Sequence, residues 1–258
     1  MFDERSSTYD GSEMHRWLAQ RSVSGLAIRP RSMVLDAAAG TGLASRVLFA
    51  EHPSLVCIAV DLSAALLTTA RRSGTHAVRG DVERLPIRDA VVDWVVCVSA
   101  AAYFPHPEVA LAEFGRVLRP GGGVAVQAWA ADGLAPTRSL RAAVADLGVV
   151  LRDPNAALGS RELLAGALAN AGLSNIAVTV DTWRQPWVSP DHAWSATAAS
   201  PLGDALPNHL KPAIRRRFED LWAAARAASP EYDAQPALIA TAIKASSGAP
   251  VVPPKNHR

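Results

Sequence analysis

Residues 33–46, MVLDAAAGTGLASR, decide more about this chain than any other stretch. They read as a short apolar strand, an acid at its carboxyl end, a turn of small residues and the start of a helix. Strands that feed such turns build parallel α/β sheets, and ligands of those sheets sit beyond the carboxyl ends of the strands. Gly40 and Gly42 remove side chains where a ligand must approach the backbone, and Ala37, Ala38 and Ala39 keep the approach nearly as bare. Asp36, just before the turn, needs a hydrogen-bond donor or a cation, because an unpaired buried carboxylate is costly. An ammonium group suits it. A dinucleotide pyrophosphate does not, since that anion would meet the carboxylate at the helix terminus meant to receive it. A nicotinamide-binding Gly-x-Gly-x-x-Gly turn would also need glycine where Ser45 stands.

At 258 residues the chain can bury one substantial core and a small subdomain. Its net charge of +2 gives no electrostatic case for nucleic acid or an anionic membrane as partner. No apolar run reaches the roughly 18 residues of a membrane span, and the N-terminus lacks the basic-then-apolar order of a signal peptide. A cytoplasmic protein, monomer or homodimer, is expected. The seven histidines and two cysteines show none of the short paired spacings of a metal site, so no metal is expected.

Three marks now fall in order: VLDAAAGTG at the first turn, GDVERLPIRD after a third strand, and Arg119-Pro120-Gly121-Gly122 before a fifth. Together they resemble the class I S-adenosylmethionine-dependent methyltransferases, in particular the type 11 group related to ubiquinone and menaquinone biosynthesis. Ala38 stands at the first of the family's three alternating glycines, as in many relatives of that group. The resemblance implies a doubly wound, Rossmann-like, mostly parallel seven-stranded α/β sheet with an antiparallel last strand and helical lid elements. It also implies S-adenosyl-L-methionine as cofactor, with S-adenosyl-L-homocysteine as product. The Cys57 and Cys97 strands flank the first strand in the order so implied, roughly 10 Å apart at about 4.8 Å per strand. That exceeds the reach of a disulfide, and both are expected as reduced core thiols.

Residues 1–30 are expected to form a helical cap in which Tyr9 and Asp10 precede the helix, residues 31–130 the cofactor-binding core, and residues 131–258 the closing strands with an inserted segment. In the core, Asp61 ends the second strand, where its two oxygens can accept both hydroxyls of a ribose. Ser63 caps the following helix, and Leu62 would pack on the adenine. The resemblance implies that Asp81 accepts from the adenine amino group and that the Val82 backbone caps the ring. The cofactor-contact set is thus Tyr9, Asp36, Ala38, Gly40, Gly42, Asp61, Leu62, Asp81, Val82 and Val98. Arg119–Gly122 reads as a turn between helix and strand.

Beyond residue 130, helices are expected over Arg138–Leu147 and Arg161–Asn170, and strands over Ile176–Trp183 and Ala237–Ile243. About fifty residues separate those strands, far more than a hairpin requires. This insertion, at about 184–232, holds an amphipathic helix at Pro212–Ala228 and the aromatic residues Trp187, Trp194 and Trp222. It is expected to act as a lid over an apolar substrate pocket, while any single Trp is better read as packing the insertion against the sheet. Arg215, Arg216 and Arg217 read as the solvated helix face.

Methyl transfer needs in-line orientation more than covalent help from the protein, worth about 7–11 kcal/mol of barrier. The acceptor is expected to be a partly apolar small molecule with an O, N or C nucleophile. Where relatives carry two histidines after the fourth strand, this chain has Ala102 and Tyr103, with His106 nearby. Tyr103 and His106 are the candidate catalytic residues, and His192 is the next. A scaffold, or an enzyme that guides a rearrangement or cyclisation without using the methyl, would retain the same pocket.

Overall fold

In the computed structural model of the chain, residues 10–185 and 187–246 are described. The leading helix α1 spans Glu13–Val23, with the Ser12 hydroxyl accepting from the His15 N–H at its start. Then come β1 (Met33–Ala37), α2 (Leu43–Glu51), β2 (Val56–Asp61), α3 (Ala64–Arg71), β3 (His76–Arg79) and β4 (Val92–Cys97). A 3-10 turn over Ala101–Tyr103 leads to α4 (Pro107–Val117) and β5 (Leu118–Trp129). The remainder is α5 (Ala135–Ala145), α6 (Arg161–Asn170), β6 (Leu173–Arg184), α7 (Pro190–Ala198), α8 (Pro201–Asp204), α9 (Lys211–Ala228) and β7 (Ala234–Lys244).

The seven strands form one sheet in the order β3-β2-β1-β4-β5-β7-β6. The first five pair in parallel, while β7 runs antiparallel to both β5 and β6. Alternation along the central strands sends neighbouring residues to opposite faces. Leu35, Val95 and Val124 pack with Leu111 and Phe114 of α4 and Leu164 and Leu168 of α6. Val34, Val96 and Ala125 pack instead with Val23 of α1 and Leu48 of α2. A sheet buried on both faces needs such near-continuous apolar runs, and β4 (VDWVVC) is one. Cys57 and Cys97 are buried free thiols on the two strands that flank β1, as their expected positions required.

Two expected boundaries change for physical reasons. Arg119–Gly122 is not a turn between helix and strand, because β5 already begins at Leu118, paired with Val92. The four residues bulge out of the strand before pairing resumes at Gly123 with Trp94. Asp93, opposite the bulge, accepts from Arg119 at 2.8 Å and from the Met33 N–H at 2.7 Å, so a single carboxylate pins it to β1. Gly121, at φ +79°, supplies the left-handed step. Helix α5 begins three residues earlier than expected, because Pro136 fits a first helical turn, where its missing N–H is not needed.

The insertion builds a second core together with α5. Leu140 and Val144 of α5, Trp194 of α7, and Ile214, Phe218 and Trp222 of α9 are buried together. Trp194 meets Phe218 edge-on with ring centroids 5.5 Å apart. The same helix carries Arg215 and Arg217 outward to Asp191, Glu219 and Asp146, so these arginines form the solvated face as expected. Among the described residues no helix is long and apolar enough to cross a membrane.

Truncating Phe218 to Ala should cost about 3–5 kcal/mol of stability, the usual range for deleting a fully buried aromatic ring. Because it packs in the second core formed by α5 and the insertion, ligand affinity at the sheet should change by less than twofold; denaturant unfolding and calorimetry on the same sample check both.

Candidate active site

Beyond the carboxyl ends of β1 to β4 lies a cleft with about 1140 Å³ of space between its walls, the open mouth included. Three acids reach it from neighbouring strands, Asp36 from β1, Asp61 from β2 and Asp81 after β3. Glu83 joins them, and none of the described wall residues is a lysine or arginine. The walls are therefore anionic in a chain of nearly balanced charge.

Each acid is held by the backbone around it. Asp36 is buried, and its Oδ2 accepts from the Ser45 hydroxyl at 2.5 Å and the Ser45 N–H at 3.1 Å. Burial nevertheless pushes its pKa up to about 6, with the nearby Asp61 charge adding to the rise. Asp61 Oδ2 accepts from the Gly40 N–H and its Oδ1 from the Ser63 N–H, both at 2.8 Å. One lone pair on each oxygen is used in this way, and each oxygen keeps capacity for a ligand donor. Asp81 Oδ1 accepts from the Glu83 N–H at 2.9 Å.

The turn itself is open. A side chain added at Gly40, which sits at φ +55°, would meet nothing within 4 Å. Ala38 holds a left-handed φ of +55° at the first glycine position, a conformation that costs a non-glycine residue about 1–2 kcal/mol. Gly80 is required for another reason: a Cβ there would stand 2.8 Å from Pro86 Cδ. The Gly80 and Pro86 of GDVERLP are thus two halves of one close contact that presents Asp81 and Val82 to the cleft.

Of the residues expected to contact the cofactor, the structure brings Asp36, Ala38, Gly40, Asp61, Leu62, Asp81, Val82 and Val98 to one cleft. Leu62 is 60% exposed, an apolar side chain left open on the rim. Gly42 does not belong with them: a Cβ there would press on Ala70 at 3.2 Å, so it serves the packing of α2 on α3. Tyr9 lies outside the described residues. Its neighbour Asp10 accepts from Thr41 Oγ1 at 2.6 Å and from Arg46 at 2.7 Å, which straps the start of α1 to the turn.

The candidate catalytic residues separate. Tyr103 lines the cleft. His106 does not: its side chain is 65% exposed and points to Glu108, while its N–H donates to Glu83 at 2.6 Å. His192 sits in the insertion against the Trp187 ring, at 5.3 Å between centroids. The three tryptophans expected to wall a substrate pocket lie in the core of the insertion and not in the cleft, because α5, α7 and α9 bury them against one another.

Other wall residues carried no motif. His15 and Ala19 of α1 line the cleft, four positions apart on the face that also carries Leu18 and Ser22 inward. Helical spacing in EMHRWLAQRSV was the available signal. Ser99 holds a φ of +58° just past β4, and its N–H donates to the fully buried Gln127 of β5 at 2.9 Å. Nothing local to Ser99 in the sequence points to a partner 28 positions away.

Comparisons with known proteins agree with this geometry. Residues 35–126 match the methyltransferase domain family of type 11. The malonyl-[acyl-carrier protein] O-methyltransferase of Methylococcus capsulatus is 33% identical over 138 residues, covering 50% of each chain. The demethylmenaquinone methyltransferase of Mycolicibacterium paratuberculosis is 33% identical over 132 residues, 49% of this chain and 56% of the relative. The chain thus spans about half the length of the curated relatives it matches. In fold it is similar to the YcgJ protein of Bacillus subtilis, at TM-score 0.60 and 19% identity over 91% of this chain and all of that one. It is also similar to phosphoethanolamine N-methyltransferase 2 of Haemonchus contortus, at TM-score 0.59 and 14% identity over 95% of this chain and 57% of that one. Residues 35–126, rather less than half of the chain, thus match a methyltransferase domain of the type 11 family.

Proposed function

We propose that the cleft binds S-adenosylmethionine and that the protein transfers its methyl group to a small-molecule acceptor. One observation carries the reading: acids from adjacent strand tips surround an open glycine turn with no cation among the described walls. Such a site repels a pyrophosphate or a nucleotide phosphate. It suits a nucleoside whose amino-acid end is cationic and whose sugar offers two hydroxyl donors.

In this reading Asp36 takes the ammonium group, which would repay part of the cost of its buried charge. Asp61 accepts the ribose hydroxyls with the lone pairs left by Gly40 and Ser63, Asp81 accepts the base amino group, and Leu62 and Val82 flank the ring. The bound cofactor supplies an electrophilic methyl on a sulfonium. The chain's contribution is orientation and exclusion of water, to which α1 adds by closing over the turn through Asp10, Thr41 and Arg46. The named relatives methylate an acyl-carrier-protein-bound malonyl group and demethylmenaquinone. In both the methylated group is a small organic moiety, free or carried on a protein; we carry over a small-molecule acceptor, and the cytoplasm is the compartment we assign.

Calorimetry with S-adenosylmethionine and with NAD tests the reading directly: the first should bind and the second should not. Release of S-adenosylhomocysteine with an acceptor present then separates a methyltransferase from a scaffold. Asp61→Ala should weaken S-adenosylhomocysteine binding by more than tenfold, about 1.4 kcal/mol, because two hydroxyls lose their acceptor. An unchanged dissociation constant would remove Asp61 from the ligand set.

Asp36→Asn should separate stability from binding. The folded carboxyl titrates near 6, above its unfolded value, so its relative stabilisation is complete at low pH and is lost as pH rises through 6. At pH 8 the ligand-free Asn variant should therefore be more stable than wild type by on the order of 3 kcal/mol, at 1.36 kcal/mol per pH unit. The difference should vanish near pH 4 in thermal melts, while cofactor affinity at pH 8 falls.

A further inference from the structure

Strand β4 leaves the sheet at the edge of the cleft. Its pairing with β5 stops at Cys97 and Val126, so the next residues in register would be Val98 and Gln127. Val98, Ser99 and Ala100 turn away instead and become consecutive positions of the cleft wall. Ser99 makes that turn at φ +58°, a left-handed conformation that a residue with a Cβ disfavours by roughly 5- to 30-fold. Its N–H donates to Gln127 Oε1 at 2.9 Å. Where the backbone ladder ends, a side chain of β5 thus makes the bond in its place.

A glutamine is costly to keep at this position. Gln127 is fully buried, on the face of β5 that also carries Ala125 and Trp129 two positions to either side. Those neighbours pack in apolar clusters with Val23 and Leu18 of α1. The Ser99 N–H can only donate, so the atom facing it is the amide oxygen. Among the described residues the amide nitrogen, also buried, bonds to nothing. A buried donor left unmade is worse for stability than an apolar side chain of the same shape. The bond to Ser99 is what glutamine supplies here and a methionine would not.

We propose that Gln127 is a positioning residue of the cofactor site: without lining the cleft itself, its amide oxygen holds Ser99 left-handed and so keeps the wall at residues 98–100 in its ligand-binding shape. The inference rests on the cofactor reading above. Without that bond Ser99 relaxes toward the right-handed or extended backbone that serine prefers. The apparent affinity then falls by the fraction of protein that still holds the bend.

Calorimetry of the full chain with S-adenosylhomocysteine tests this, with ligand-free thermal melts on the same samples. Gln127→Met should weaken binding by roughly 5- to 30-fold while the melting midpoint holds or rises. Gln127→Asn keeps the amide on a side chain one methylene shorter, which draws the oxygen away from Ser99. It should show the same loss, and it guards against a packing defect of the methionine.

The decisive comparison changes residue 99. Glycine takes positive φ about as readily as negative, so in a Ser99→Gly background Gln127→Met should cost less than about threefold. Alanine resists that conformation as serine does, so in a Ser99→Ala background the cost should match that in wild type. Whatever the Ser99 hydroxyl itself contributes cancels within each pair. An undiminished affinity in both Gln127 variants, an equal loss in the glycine and alanine backgrounds, or a loss that tracks a fall in melting midpoint would each overturn the proposal. Failure of wild type to bind S-adenosylhomocysteine would instead overturn the reading on which it rests.

Discussion

A single buried carboxylate organises the functional half of this molecule. Asp36 sits one residue before the end of β1 at 2% exposure, two hydrogen bonds from Ser45 hold one of its oxygens, and its pKa is still raised to about 6. The site is therefore built with an electrostatic cost that the protein alone does not fully offset. A cationic ligand does offset it, and the strain of the turn points the same way. Ala38 and Ser99 both keep left-handed φ angles at the edge of the same cleft. Strain that persists in a well-packed frame tends to gather where ligands are gripped.

The frame makes that cost tolerable. Parallel strands set side by side bring their tips into register, so Asp36 and Asp61 lie on neighbouring strands whose pairing runs from Met33 with Val56 to Ala37 with Val60. Helices on both faces bury the strands, and the ligand-facing groups are confined to one end. Stability and recognition are also divided along the chain. The insertion and α5 together supply a second core from α5, α7 and α9, none of whose buried residues lines the cleft. The first helix, strapped through Asp10, closes the cleft from above.

How much of this the sequence disclosed follows from how local each cause is. The strand-turn-helix at residues 33–46, the acids at strand tips, the helix cap at Ser63 and the antiparallel last strand all have causes within a few residues, and all stand where the sequence placed them. Gly42 shows that a bare backbone looks alike in sequence whether a ligand or Ala70 faces it. The Arg119–Gly122 bulge depends on Asp93 in another strand, and the partner of Ser99 on Gln127. Apolar aromatic residues signal burial without naming the surface they cover, so Trp194 and Trp222, which suited a pocket wall or packing against the sheet, are buried instead among α5, α7 and α9. His15 was missed because it lies outside any motif. Only the packing of Leu18 on Trp129 turns its side of α1 toward the cleft.

The central claim is that acids from adjacent strand tips and one open glycine turn grip a single sulfonium nucleoside. A crystal structure grown with S-adenosylhomocysteine measures it most directly. The account predicts density along the strand tips, with the amino group within hydrogen-bond reach of Asp36, both ribose hydroxyls on Asp61, and the base between Leu62 and Val82 beside Asp81. Density at any other surface, or a ligand in the cleft whose ribose avoids Asp61 and whose amino group avoids Asp36, would contradict it.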